Sequence, residues 1–162
     1  MGAGKVFCIL GGIITLVATY VFSLGSIGVA YAYHIGFFMN LGLIFGAGYV
    51  WWYILAIVFL IYSASGILII LGVKSRASAI IGAIFVLAVG GYILSVLFFN
   101  YDMVIEAFYL TYFSDFTLIP GIIPFDLPLH VVAGTNVSLG LYLMLAGGVL
   151  GLIGGIAGPD EF

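Results

Sequence analysis

Charged side chains are scarce in this chain. Among 162 residues, only three are basic and six are acidic, which is 6% of the total. A soluble domain carries roughly 25% charged residues, so this chain cannot cover a water-facing surface with them. Because 65% of its residues are hydrophobic, we expect its surface to face lipid or other protein. The absence of a basic patch also excludes nucleic acid as a partner.

Cysteine and catalytic motifs are missing as well. Cys8 is the single cysteine, so no disulfide can form within the chain. The sequence contains no nucleophile–base pair, phosphate-binding loop or dinucleotide fingerprint. Its four longest apolar runs contain no Asp, Glu, Lys, Arg or His, which argues against proton-coupled transport. We therefore predict that the protein is not an enzyme and binds no cofactor.

Four apolar runs are each long enough to cross a bilayer. A helix of about 20 apolar residues spans the hydrocarbon core, and the runs lie at residues 6–24, 49–71, 77–99 and 136–157. The short alternating segments of membrane barrels are not found. The sequence therefore predicts an all-α integral membrane protein, a single membrane domain in which four transmembrane helices form a bundle.

The basic residues predict how the helices are oriented. Lys5 precedes the first run, and Lys74 and Arg76 lie in the turn between the second and third runs. Four spans put both places on one side, which the positive-inside rule makes the cytoplasm. We therefore predict a multi-pass protein of the cell membrane with both termini in the cytoplasm. Residues 25–48 and 100–135 then form two outer segments.

The first outer segment raises the alternative of a fifth span over residues 26–46. That span would place the basic turn outside and would carry His34 and Asn40 into the bilayer, where polar side chains are costly. We therefore prefer an extracytoplasmic hairpin or an interfacial segment. The alternation of apolar side chains from Val29 to Ile35 indicates a strand there.

The second outer segment begins with a predicted amphipathic helix from Asp102 to about Asp115, for which Asp102 is a natural N-cap. Pro120, Pro124 and Pro128 then punctuate an irregular but apolar stretch. So much apolar surface outside the spans is expected to pack on the bundle, on the membrane surface or on a neighbouring subunit.

Glycines in the last run form the clearest local pattern. Gly147, Gly151 and Gly155 recur every four residues, a spacing that lets two helix backbones approach closely in lipid. Gly11 and Gly12 in the first run offer a second face of this kind. Two alternatives remain open for this glycine zipper: contact between subunits, and packing within the monomer against the first run at Gly11 and Gly12.

Aromatic residues open the second run. Tyr49, Trp51, Trp52 and Tyr53 stand at its beginning, and Tyr and Trp rings suit the boundary between lipid and water. We therefore predict an aromatic belt at one membrane interface, with the lipid bilayer as its partner.

Acidic residues and a histidine outside the spans could bind a divalent metal ion. Asp102 and Glu106 stand four residues apart, as do Asp126 and His130, and a helix would bring each pair together. Carboxylate and imidazole groups suit several divalent ions. Pro128 interrupts the second pair, however, and capping of a short helix is the commoner role for Asp126. A metal site at these four residues is therefore the weaker interpretation.

The layout of four spans, internal termini and two outer loops resembles the tetraspan membrane proteins in general. Claudins carry a tryptophan and a cysteine pair in the first loop, and tetraspanins carry Cys-Cys-Gly in the second. This chain has neither motif, and its one cysteine lies in the first span. The resemblance is one of topology over the whole chain, so no functional residue is carried over.

These features predict a non-enzymatic structural membrane protein that assembles with itself or packs into a larger membrane complex. One alternative is a channel or carrier whose pore forms between subunits, lined by Ser, Thr and Tyr side chains. Another is an accessory subunit of a membrane enzyme complex whose catalysis resides in another chain. The expected partners are lipid, further copies of the chain or other membrane subunits.

Overall fold

The structure, a computed structural model, describes residues 2–27, 30–99, 108, 112–113 and 137–158. In these residues the chain forms six helices and one short hairpin. Their bounds are α1 Ala3–Val21, β1 Gly25–Ile27, β2 Ala30–Ala32, α2 His34–Met39, α3 Leu41–Gly46, α4 Val50–Leu71, α5 Arg76–Phe99 and α6 Leu139–Ala157. The predicted all-α fold class is thus confirmed, with the hairpin as its one small departure.

Four of these helices are long and apolar enough to cross a membrane. Helices α1, α4, α5 and α6 contain 19, 22, 24 and 19 residues, which correspond to about 28 to 36 Å of helix. The hydrocarbon core of a bilayer is about 30 Å thick. A helix satisfies its backbone hydrogen bonds internally, which is why apolar runs of this length adopt that form in lipid.

The described part of residues 26–46 forms no spanning helix. Strands β1 and β2 pair antiparallel, with Gly25 opposite Ala32, and the six-residue helices α2 and α3 follow. The hairpin agrees with the preferred interpretation of this segment. The strand is shorter than the alternation indicated, because the Tyr33 backbone N–H donates to the Phe113 carbonyl at 2.7 Å instead of continuing the hairpin.

The chain groups into two compact units. The first comprises Met1–Val17, Ile61–Tyr92 and Tyr142–Phe162, and the second comprises Ala18–Leu60 and Ile93–Leu141. The first unit therefore holds segments of all four long helices. The hairpin, α2 and α3 belong to the second.

Hydrogen bonds join the segments around the hairpin in the second unit. The Leu24 N–H donates to the Ala32 carbonyl at 2.9 Å, and the Ser138 N–H donates to the Leu24 carbonyl at 3.2 Å. The Gly140 N–H donates to the Ser23 carbonyl at 3.1 Å. The first N–H groups of a helix lack partners within it, so these bonds both satisfy the start of α6 and hold it beside the end of α1.

The long helices turn bulky aliphatic side chains outward. On α1 the exposed residues are Val6, Leu10, Ile13 and Val17, and on α6 they are Val149, Ile153 and Ile156. Small and hydroxyl residues such as Thr15, Ala79 and Ala83 are fully buried. Soluble proteins place most of their large aliphatic side chains inside. The opposite arrangement suits a helix surface that faces lipid.

Glycines bring the backbones of α1 and α6 into contact in the first unit. A Cβ atom added at Gly11 would lie 2.6 Å from the Gly151 nitrogen and 2.7 Å from the Gly147 oxygen. A Cβ atom added at Gly147 would lie 2.7 Å from the Gly11 oxygen. These distances are shorter than real Cβ atoms tolerate, so any larger residue at these positions would push the two helices apart.

Similar contacts join the other helix pairs of the first unit. A Cβ atom at Gly12 would lie 2.8 Å from the Gly66 oxygen on α4, and one at Gly82 of α5 would lie 2.8 Å from the Ser65 oxygen on α4. A Cβ atom at Gly155 would lie 2.8 Å from Cγ1 of Ile80 on α5. Close glycine contacts therefore link α1, α4, α5 and α6 within this unit.

We predict that Gly147→Ala lowers the free energy of unfolding by about 1–3 kcal/mol, the usual cost of forcing an extra methyl group into a packed interior. Gly91→Ala is the matched control, since a Cβ atom added at Gly91 meets no other described atom within 4 Å. That change should be neutral or stabilising by up to about 1 kcal/mol, through better helix propensity. Thermal unfolding in detergent, followed by circular dichroism, measures both. Equal effects of the two substitutions would contradict the packing described above.

Candidate functional site

A buried histidine lies at the centre of an aromatic cluster in the second unit. His34, the first residue of α2, has 0% of its surface exposed. Among the described residues, five rings lie around it with centroid separations of 5.3 to 6.5 Å, namely those of Tyr20, Phe37, Phe38, Phe59 and Phe113. The nearest of these rings, that of Phe113, lies edge-on to the imidazole at an interplanar angle of 87°. This is one of the arrangements that aromatic pairs prefer.

Backbone contacts fix α2 against residues 112 and 113. The Asn40 side-chain amide donates to the Tyr112 carbonyl at 3.1 Å. A Cβ atom added at Gly36 would lie 2.8 Å from the Phe113 oxygen. The Phe37 ring also stacks on the Phe113 ring at 5.2 Å. The absence of a side chain at Gly36 therefore lets α2 approach this backbone closely.

The surroundings of His34 determine its protonation. Burial lowers the pKa of His34 to about 3, and a hydrogen bond to the Phe59 backbone partly offsets this, because it favours the charged imidazolium. The ring is therefore neutral near pH 7. A neutral imidazole packed among phenyl rings acts as a hydrogen-bonding core residue, and it is not poised to exchange protons at neutral pH.

Arg76 caps the end of α6 in the first unit. Its Nε donates to the Gly155 carbonyl at 3.2 Å, and its Nη2 donates to the Ile156 carbonyl. The last carbonyls of a helix lack partners within it, and a cation is stabilised at that end of the helix dipole.

A Cβ atom added at Gly158 would lie 3.2 Å from Arg76 Nε, and one at Gly4 would clash with the Gly158 oxygen. The beginning of α1, the α4–α5 turn and the end of α6 therefore meet at one place.

Hydroxyl groups within the long helices bond to nearby groups. The Thr15 hydroxyl donates to the Gly11 carbonyl at 2.8 Å, and the Ser65 hydroxyl donates to the Ile61 carbonyl at 2.9 Å. The buried Tyr62 hydroxyl lies 3.2 Å from Sδ of Met144. Thr15 and Ser65 thus satisfy their polar groups on their own helices.

The five predicted packing glycines contact helices of their own chain. Gly11 and Gly147 lie where α1 and α6 meet, Gly12 and Gly151 face α4, and Gly155 faces α5. Each of these contacts lies within one chain. The contact between subunits stays a prediction from the sequence.

The four predicted belt residues differ in exposure. Tyr49 and Trp51 are 64% and 73% exposed. Trp52 and Tyr53 are half-buried, because Trp52 packs on Tyr112 at 5.1 Å and Tyr53 stacks on Phe45 at 5.8 Å. Two rings are therefore free to meet lipid, and the other two hold neighbouring segments in place.

The predicted metal ligands Asp102, Glu106, Asp126 and His130 all lie outside the described residues. So does the predicted amphipathic helix that follows Asp102, apart from Phe108, Tyr112 and Phe113. Within the part of the chain that the structure describes, no group of three His, Cys, Asp or Glu side chains comes together. The metal site accordingly stays a prediction from the sequence.

Two residues proved more important for packing than the sequence indicated. The sequence marks His34 only as a residue that is costly in a bilayer, and Arg76 only as a basic residue that predicts the orientation of the helices. The sequence feature that could have indicated this role for His34 is a histidine among aromatic residues and glycines. A buried imidazole needs both close packing and a hydrogen-bond partner. The signal for Arg76 was weaker, because nothing local shows which helix end an arginine will cap.

Comparison of the chain with protein-family models, with curated proteins and with solved structures finds no match.

We predict that acid destabilises the protein through His34. In the unfolded chain this imidazole takes up a proton below pH 6.5, whereas in the folded chain it does so only near pH 3. The stability is thus complete above pH 6.5 and is lost as the pH falls toward 3. At pH 5 the loss from this residue is about 2 kcal/mol.

The matched control is His34→Gln, which keeps a hydrogen-bond donor but does not titrate. Chemical unfolding at pH 7.5 and pH 5 gives the change in stability for each protein. The natural chain should lose about 2 kcal/mol more than the variant over this interval. Parallel losses would show that His34 is not buried as a neutral group.

Proposed function

We propose that this protein is a non-enzymatic structural component of a membrane, which assembles with itself or with other membrane subunits. The observation that carries the proposal is the glycine-mediated contact of α1 with α6, together with similar contacts to α4 and α5. Backbones in contact leave little room for helices to slide or separate. Such a unit is better suited to a fixed scaffold than to a carrier that changes shape.

The hydroxyl bonds support the same role. Thr15 and Ser65 are fully buried and donate to carbonyls of their own helices. They are therefore not available to line a pore between subunits, which was the main feature that could favour a channel. Their bonds instead help to satisfy polar groups inside a packed unit.

The outward surface of the long helices and the second outer segment are the expected sites of assembly. The exposed side chains of α1 and α6 are aliphatic, and the segment 100–135 is rich in apolar residues. Apolar surface of this extent outside the spans is usually covered by lipid or protein. Because the glycine faces are occupied inside the monomer, assembly is proposed to use these other surfaces.

We also propose that both termini lie in the cytoplasm of a cell. The proposal is supported by the meeting of Gly4, Gly158 and Arg76 at one place in the first unit, which puts Lys5, Lys74 and Arg76 on one side. The positive-inside rule assigns that side to the cytoplasm.

Assembly is tested by extracting the full chain from its membrane with its surrounding lipid, in polymer-bounded discs, and measuring particle mass over a dilution series. Each chain contributes 17.2 kDa, so particles should contain several copies or additional proteins. Adding excess lipid before extraction controls for chance capture of separate chains. Particles that hold one copy and no other protein at every concentration would overturn the proposal.

Orientation is tested by labelling introduced cysteines with a membrane-impermeant maleimide, after Cys8→Ala removes the buried native thiol. Lys74→Cys places a thiol at an exposed position of the α4–α5 turn, and it should react in inverted vesicles but not in intact cells. Tyr49→Cys is the matched outer position and should react in intact cells. The reverse pattern would contradict cytoplasmic termini.

A further inference from the structure

Helix α3 and the last residue of α2, Met39, expose apolar side chains in several directions. Met39, Leu43 and Phe45 are 69%, 66% and 47% exposed, whereas Ile44 is fully buried. A Cβ atom added at Gly42 or Gly46 meets no other described atom within 4 Å. Ile44 thus anchors the helix to the protein, and the remaining surface of α3 is apolar and uncovered. Such a helix is poorly suited to contact with water.

One polar side chain beside this surface donates to the protein. The Asn40 amide nitrogen donates to the Tyr112 carbonyl at 3.1 Å. Residues 26–46 contain no charged residue. Within this segment, the exposed surface therefore has no charged rim of the kind found around most protein–protein contact surfaces.

The position of α3 along α4 gives its depth. The Phe45 ring stacks on the Tyr53 ring at 5.8 Å, and the Tyr53 hydroxyl donates to the Phe45 carbonyl at 3.1 Å. Tyr53 lies in the first turn of α4, which begins at Val50. Since the 22 residues of α4 span about 33 Å, its first turn lies close to the edge of a hydrocarbon core about 30 Å thick. Helix α3 lies at the same level.

We infer that α3 and the adjoining Met39 form an interfacial anchor, in which the Met39, Leu43 and Phe45 side chains lie among lipid acyl chains just below the headgroups. The partner is the leaflet that α4 enters at Val50. Tyr49 and Trp51, at this end of α4, are also exposed, and such rings favour the headgroup level. The anchor extends the lipid-facing surface of α4 to helix α3, which lies in the first outer segment. It does not depend on whether the chain assembles with partners.

The test uses nitroxide spin labels on single-cysteine variants of the full chain in lipid vesicles, with Cys8→Ala as the background. Leu43→Cys and Met39→Cys report on the anchor. Ile57→Cys, at a 54% exposed position of α4, is the lipid reference. Lys74→Cys, in the exposed α4–α5 turn, is the water reference. Collision rates with oxygen and with a water-soluble nickel chelate give the depth of each label.

The labels at Leu43 and Met39 should collide with oxygen more than with nickel, as at Ile57, but at a shallower depth. Two results would overturn the inference. Nickel collisions as frequent as at Lys74 would place α3 in water. Protection from both reagents would mean that protein, such as a second copy of the chain, covers this surface. All four positions are exposed, so the substitutions leave the packed interior unchanged.

Discussion

Direct contact between helix backbones is the interaction on which the first unit depends. Lipid is as apolar as a leucine side chain, so the hydrophobic effect does not drive helices together within a bilayer. Association then relies on dispersion forces, which decline steeply with distance, and on weak Cα–H···O contacts that require close approach. Gly11 and Gly147 permit that approach between α1 and α6, and Gly12 and Gly82 permit it for α4 and α5. Where these backbones meet there is no room for large side chains, and many large aliphatic residues of the long helices lie on the outer surface.

The second unit is held together by larger side chains. There, phenyl rings surround His34, and the backbone near Phe113 accepts or approaches groups from Tyr33, Asn40 and Gly36. The neutral imidazole combines ring packing with a hydrogen bond to Phe59, which lets a polar residue occupy an aromatic core. In the first unit, Arg76 donates hydrogen bonds to the last carbonyls of α6, which have no partner within that helix. In each unit, a polar side chain thus donates to or accepts from a specific backbone group.

Much of the fold could be predicted from the sequence, because a membrane-spanning helix is determined by the composition of one continuous stretch of residues. Long uncharged runs are sufficient to predict four membrane helices, and the spacing of Gly147, Gly151 and Gly155 indicated a packing face. Contact with the first span was one of the two predicted alternatives, but the contacts of Gly151 with α4 and of Gly155 with α5 could not be predicted. Helices α4 and α5 are apolar all round, so periodicity does not show which side is buried. The aromatic cluster of His34 and the cap formed by Arg76 join residues far apart in sequence. Hydropathy contains no signal for such pairings.

Formation of a disulfide between α1 and α6 tests the close packing of the first unit most directly. A Cβ atom added at Gly154 would lie 2.8 Å from Sγ of the native Cys8 and 2.7 Å from the Cys8 nitrogen. The two backbones must therefore separate slightly to admit it, and the two sulfur atoms then still lie within reach of a disulfide. Oxidation of the Gly154→Cys variant in membranes should join these residues within one chain, seen as the loss of two hydrogen masses and of both reactive thiols. Gly91→Cys, on an open surface of α5, serves as the control and should form no such bond. Free thiols in the oxidised Gly154→Cys protein, or a disulfide between two chains, would contradict the account.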